Sequence, residues 1–316
     1  MTTSTIPWID AASLTRALPW LRVIDTLESA IRAGASRGDL PARIGVPVSA
    51  GELLLMPAEV GADVGVKVVS VHHGSAGPAV PRIQGVHLAF DGASLTPTAV
   101  LEARTLTLLR TAGLSALAIR HLAPGTARSL ALFGTGPQSV AHALAIDSVR
   151  PLERVWVIGR RPEAIESVVE QLDSAGLAAI PGTPADVRAA DIVACCTTAA
   201  DPVFDSRALR PRATVVAVGS HSPTRREVDA ALVRTATVIV ESRASALTQA
   251  GDIVIAIDEG VPVGTAIDGD LSELVRGDVA VAADCPRLFK SVGEAWADVV
   301  IASAAVREVL APTAVV

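Results

Sequence analysis

The chain has no tyrosine, and its few Phe and Trp residues amount to only 3 % aromatics. Its cores must therefore be built from aliphatic side chains. No uninterrupted apolar run approaches the roughly 20 residues that span a bilayer, and the start of the chain lacks a basic flank leading into an apolar segment. Neither a membrane span nor a signal peptide is expected. No cluster of Lys and Arg offsets the formal net charge of −6, which argues against a nucleic-acid partner. Cysteine is scarce as well. Cys195 and Cys196 are neighbours in an apparent strand and cannot bridge each other there, and Cys285 stands alone. An odd count without a spacing pattern excludes a disulfide framework and a zinc site, and fits a reducing cytoplasm.

What remains is a 316-residue chain, half of it apolar, in which short Val/Ile/Leu/Ala runs alternate with amphipathic stretches. That pattern predicts an α/β protein long enough for two domains. Two amphipathic helices are expected between Ala11 and about Gly38, the second with Leu21, Ile24, Leu27 (or Glu28) and Ile31 on its inner face. Extended runs at Arg43–Val48, Glu52–Met56, Val64–Val71 and Val86–Phe90 read as a mixed or antiparallel sheet. From Thr98 to Ile119 the spacing becomes helical. After Ser129 strands alternate with helices in units of about 30 residues, which predicts a mostly parallel sheet. Beyond Cys285 the pattern changes to one long helix, Gly293 to Leu310, expected to pack back on the first domain. The predicted organisation is residues 1–120 with 290–316 as one domain and residues 121–289 as the other.

The second domain opens on Ser129-Leu130-Ala131-Leu132-Phe133, which ends abruptly in Gly134-Thr135-Gly136-Pro137-Gln138-Ser139. A buried strand turning into a helix after Gly-x-Gly is the phosphate-binding turn of dinucleotide folds. Gly134 allows the turn, Gly136 keeps side-chain bulk away from a pyrophosphate, and Ser139 stands where a small residue lets helix and strand approach. The end of the next strand reads the adenosine ribose. It is Val157-Ile158-Gly159-Arg160-Arg161-Pro162, with no acid to hold a 2′-hydroxyl and two Arg suited to a 2′-phosphate. NADP(H) is expected over NAD(H).

Other polar residues carry weaker signals. His72-His73-Gly74 has no third ligand at a suitable spacing, and adjacent strand residues point oppositely, so no metal is expected. His142 reads as a packing or capping residue. Glu227 and Asp229 read as solvated charge after a turn. Lys67 interrupts the apolar run Val64–Val69, where a charge is costly unless paired or used, although the alternation Val66-Lys67-Val68 also permits a solvent-facing position.

Four motifs in register resemble the ornithine cyclodeaminase/mu-crystallin family. They are Met56-Pro57-Ala58 followed by Gly65-Val66-Lys67-Val68-Val69; Leu109-Arg110-Thr111-Ala112-Gly113-Leu114-Ser115-Ala116; Phe133 to Ser139 with His142; and Phe289-Lys290-Ser291-Val292-Gly293. The resemblance implies a Rossmann dinucleotide-binding domain inserted in a discontinuous α+β substrate and dimerisation domain, and a homodimer. It places Arg43, Lys67 and Arg110 around the substrate, with Arg110 near its carboxylate and Lys67 near the reacting nitrogen or carbonyl. Toward the cofactor it implies Arg110, Gly134, Thr135, Gly136, Pro137, Gln138, Ser139, Arg160, Arg161, Thr197, Gly219, His221 and Ser291.

The chain departs from the family in one loop. Cyclodeaminases of the family carry an acid there, whereas this chain reads Val218-Gly219-Ser220-His221-Ser222-Pro223. A His can move protons near neutral pH, but it cannot pair as an anion with a substrate ammonium. The resemblance with this departure implies a reductase of small carboxylate-bearing imines, with Lys67 and His221 as the catalytic candidates. The alternatives are an ornithine or lysine cyclodeaminase and a mu-crystallin-like ligand-binding protein.

Overall fold

The computed structural model describes residues 5–36, 43–72, 81 and 83–311. The chain forms two compact units, Met1–Arg110 with Glu294–Val316, and Thr111–Gly293. The expected end of the second helix at Gly38, and His73 with Gly74, lie outside the described residues.

The first unit begins with strand β1 (Trp8–Ile9), helix α1 (Ala11–Ala17) and helix α2 (Trp20–Arg32). Asp10 caps α1 by accepting the Ser13 N–H at 2.8 Å, satisfying one of the donors that a helix start leaves open. Helix α2 buries Val23, Ile24, Leu27 and Ile31. Leu21, expected on that face, is 51 % exposed; the stripe it was assigned to is carried by Val23 and lies farther round the helix. Strands β2 (Ile44–Val48), β3 (Gly51–Val60), β4 (Asp63–His72), β5 (Ile83–Asp91) and β6 (Pro97–Glu102) follow. They form a six-stranded sheet in the order β1-β6-β5-β4-β3-β2, antiparallel except for the β1–β6 pair.

Strand β6 corrects the expected helix over 98–119. Residues 97–102 pair with β5 and β1, and the long helix α3 starts only at Ala103, running to Leu122. The carboxylate of Glu102 marks the switch, accepting the N–H groups of Arg104 and Thr105 at 2.8 and 2.7 Å.

The second unit holds β7 (Ser129–Phe133), α4 (Pro137–Val149), β8 (Arg154–Ile158), α5 (Pro162–Ser174), β9 (Ala179–Pro181), β10 (Ile192–Cys195) and β11 (Thr214–Ala217). These are followed by α6 (Ala230–Thr235), β12 (Thr237–Val240), α7 (Arg243–Gln249), α8 (Gly251–Asp258), β13 (Gly269–Asp270), α9 (Leu271–Arg276) and β14 (Arg287–Lys290). Its sheet is parallel throughout, in the order β13-β12-β14-β11-β10-β7-β8-β9. Strands β7, β10, β11 and β12 are nearly all apolar on both faces, as burial between helix layers requires, and the core joins Phe133, Val193, Val215, Val238 and Leu288. Strand order reverses beside β7, so the carboxyl ends of β7 and β10 flank the crevice where such sheets take ligands.

Strand β14 was not legible as a strand, because it begins and ends in a charge. Its four residues are buried between β11 and β12. The charges are met from elsewhere: Arg287 donates to the carbonyls of Arg212 and Ala282 at 2.9 Å each, and Lys290 to that of Ser220 at 2.7 Å.

Helix α10 (Ala295–Val309) belongs to the first unit and packs on β3, β4 and β5. One cross-strand row beneath it consists of Ala58, Gly65, Ala89 and Ala99. Such small side chains let a helix lie close to a sheet. The adjacent row is Met56, Lys67, His87 and Leu101, all buried.

Candidate active site

Lys67 stands in the middle of that second row and is 1 % exposed, so the solvent-facing option is excluded. Its Nζ lies 2.7 Å from Oδ2 of Asp298, a residue of α10 that is itself fully buried. The other carboxylate oxygen takes Nε of Arg110 at 3.1 Å. One anion thus holds two cations in the interior, the arrangement that makes burying a charge tolerable. Burial pushes the Lys67 amine down to about 8, helped by the Arg110 charge and opposed by Asp298, with Arg43 adding a smaller push. Asp298 is held below the usual carboxylate range: burial acts to raise it, and the two neighbouring cations outweigh that. At neutral pH the lysine is charged but poised to give up its proton.

Arg110 leaves Nη1 buried without a hydrogen-bond partner among the described residues. A guanidinium with one arm spent on Asp298 and another unspent is shaped to grip an incoming carboxylate. Arg43 is half-buried immediately before β2. His87 sits directly across from Lys67 and is 1 % exposed, with neither ring nitrogen bonded among the described residues. Burial holds it down to about 4, so it is neutral at physiological pH. Its ring leans over Gly65, where a Cβ would lie 2.5 Å from Nε2. Sequence reasoning missed both Asp298 and His87. A lone acid in the apolar run Ala295–Ala305 was the available signal for the first.

In the second unit the Gly134 turn has φ +114°, and a Cβ there would meet the Cys196 carbonyl oxygen at 2.5 Å. Gly136 caps α4 with open space where a Cβ would be, and Pro137 occupies the first turn. The helix N-terminus is therefore clear of side-chain bulk, as a pyrophosphate needs. Ser139 is buried against the turn. Arg160 and Arg161 are exposed at the end of β8, beside Gly159, whose missing Cβ leaves room for Thr135. His142 is buried, with Nδ1 2.7 Å from the Gln138 carbonyl and Nε2 3.0 Å from the Ser115 hydroxyl, a packing role. His221 is exposed in the loop after β11.

Glu227 and Asp229 are not solvated charge. Asp229 caps α6 through the Leu232 N–H at 2.8 Å and accepts the Ser206 hydroxyl. Glu227 is fully buried and accepts the Thr197 N–H at 2.6 Å, the Thr197 hydroxyl at 2.8 Å and the Gly219 N–H at 2.7 Å. Ser291 donates to Glu241 at 2.5 Å, as does the Gly293 N–H at 3.0 Å.

A parallel dinucleotide fold and a buried amine–carboxylate–guanidinium centre define the class, an NAD(P)-dependent oxidoreductase. The chain belongs to the ornithine cyclodeaminase/mu-crystallin family, whose sequence profile matches residues 11–312. It is 34 % identical over 257 residues to a Delta(1)-pyrroline-2-carboxylate reductase of Bacillus thuringiensis, covering 79 % of each chain. It is 30 % identical to the ketimine reductase mu-crystallin of Mus musculus, covering 89 % of this chain and 90 % of that one. Among solved structures it is similar to Delta(1)-pyrroline-2-carboxylate reductase of Thermococcus litoralis in complex with NADH and L-proline. That match has a TM-score of 0.90 at 26 % identity and covers 96 % of this chain and 98 % of that one.

Proposed function

We propose that this protein reduces a small carboxylate-bearing imine, of the pyrroline-2-carboxylate or ketimine type, to the corresponding α-amino acid. The observation that carries the reading is the buried Lys67–Asp298–Arg110 centre. A bound nicotinamide dinucleotide would supply the hydride that the imine carbon accepts. Arg110 and Arg43 grip the carboxylate, and the ammonium of Lys67 gives its proton to the nitrogen as the C=N bond becomes an amine. Asp298 holds Lys67 charged and aimed. The relatives named for pyrroline-2-carboxylate and ketimine reduction support this reading. His221, standing where cyclodeaminases carry an acid, favours it over ring closure with ammonia release.

The dinucleotide is held at Gly134, Thr135, Gly136, Pro137, Gln138 and Ser139, with Thr197, Gly219 and Ser291 at the other strand ends. Arg160 and Arg161 favour NADP(H) through its 2′-phosphate. The test is oxidation of NADPH and NADH with pyrroline-2-carboxylate and a panel of ketimines. Turnover is expected, faster with NADPH, and Arg160→Ala/Arg161→Ala should erase that preference. In the same assay His221→Ala should slow turnover or raise the cofactor KM. No oxidation with any imine would sink the proposal.

The protein is further proposed to be a homodimer in the cytoplasm. On edge strand β2, Ile44, Val46 and Val48 are 54, 40 and 46 % exposed, an apolar edge that a soluble chain ordinarily covers. The odd, unpatterned set of three cysteines supports a reducing compartment. Light scattering should read twice the chain mass; a monomer at micromolar concentration would remove this part.

A further inference from the structure

The loops that follow β10 and β11 meet backbone to backbone. A Cβ at Gly219 would lie 1.9 Å from the Thr197 carbonyl oxygen, so only glycine fits there. Both loops then converge on one carboxylate. Oε1 of Glu227 takes the Thr197 N–H and hydroxyl, and Oε2 takes the Gly219 N–H. Glu227 is anchored in turn: its own N–H and that of Val228 donate to Oδ1 of Asp252 on α8 at 2.6 and 2.9 Å. The other Asp252 oxygen pairs with Lys290 at 2.8 Å, and Lys290 also donates to the Ser220 carbonyl. A chain of buried polar contacts therefore ties the carboxyl ends of β10, β11 and β14 to one another.

We propose that Glu227 is a positioning residue for the cofactor: its ionised carboxylate locks the Thr197 and Gly219 loops in the arrangement that receives the dinucleotide. The proposal rests on the reading of these loops as cofactor-facing. All three donors need a lone pair on Glu227. A proton on Oε2 would make that oxygen a poorer acceptor and set an O–H among three donors, weakening the Gly219 contact. The ionisable groups that face Glu227 are Asp252 from α8, Lys290 from β14, and the thiols of Cys195 and Cys196 at the end of β10. Burial, opposed by Lys290 and reinforced by Asp252, pushes Glu227 up to about 7. Both thiols are pushed well above their ordinary value, first by burial and then by the Glu227 charge, and stay neutral. The lock therefore releases as pH falls through about 7.

The experiment is fluorescence titration of the full-length protein with NADH, which lacks the titratable 2′-phosphate. The dissociation constant should rise about tenfold from pH 8 to pH 6 as Glu227 takes up its proton. A histidine charging over the same range would tighten an anionic dinucleotide instead, so the sign separates the two. Glu227→Gln should show the weakened affinity at both pH values with the dependence abolished, while the imine KM moves far less. A pH-independent wild-type affinity, or Glu227→Gln binding NADH as tightly as wild type at pH 8, would overturn the proposal and leave the cofactor reading standing. Failure of the wild-type protein to bind either NADH or NADPH at any pH would overturn both. The wild-type series decides the matter even where the variant does not fold.

Discussion

Lys67→Ala is expected to lower kcat by about 10²- to 10⁴-fold, the range a positioned acid contributes, with NADH affinity unchanged within about twofold. The split follows from where Lys67 is anchored. It lies in the sheet of the first unit, bonded to Asp298, whereas the glycine turn and its helix belong to the second. The same residue sets a pH limb. A group that must be charged to donate, with its pKa pushed down to about 8, loses its proton as pH rises through that value. kcat/KM should therefore fall about tenfold per unit above pH 8, and this limb should be absent in Lys67→Ala. Turnover retained in the variant would take Lys67 out of the chemistry.

Asp298→Asn should have the next largest effect, and a different one. Removing one partner of a buried ion pair leaves the other charge uncompensated, typically at about 3–5 kcal/mol; here two cations share the one anion. The melting temperature should fall by on the order of 10 °C. Part of that loss can be relieved if Lys67 gives up its proton. Asp298 is the group that raises the lysine against burial and Arg110, so without it the basic limb of kcat/KM should move to lower pH. A variant with unchanged melting and an unmoved limb would show that Asp298 does not hold the pair.

The parts of this protein that can be read locally were legible in its sequence. Gly134-Thr135-Gly136 announces itself because a tight turn and a bare helix start need those residues wherever they occur. Lys67 stands out because its strand neighbours are apolar. Partnerships formed over long distances in the chain left no such trace. Glu227 sits among Thr224, Arg225, Arg226 and Asp229, a setting that looks solvated, and its burial comes from Thr197, 30 residues earlier. The strand between Arg287 and Lys290 left no local signal, because the carbonyls and carboxylate that neutralise its two charges lie on other loops. Residues 98–102 were absorbed into a helix because Ala and Leu fit both periods, and only pairing with β5 and β1 decides between them. Periodicity reports which face is buried; it does not report who waits there.

The small-residue row under α10 also has a consequence for the order in which this protein is made. It receives a helix whose Asp298 is translated 188 residues after Arg110. At 5–20 residues per second that interval lasts roughly 10–40 s. The residues of the second unit are all synthesised within it. During that time Lys67 and Arg110 have no Asp298 to neutralise them, so the first unit cannot bury these two cations without a severe electrostatic cost. The dinucleotide unit is accordingly expected to fold first on the ribosome, and the unit that began the chain to close last.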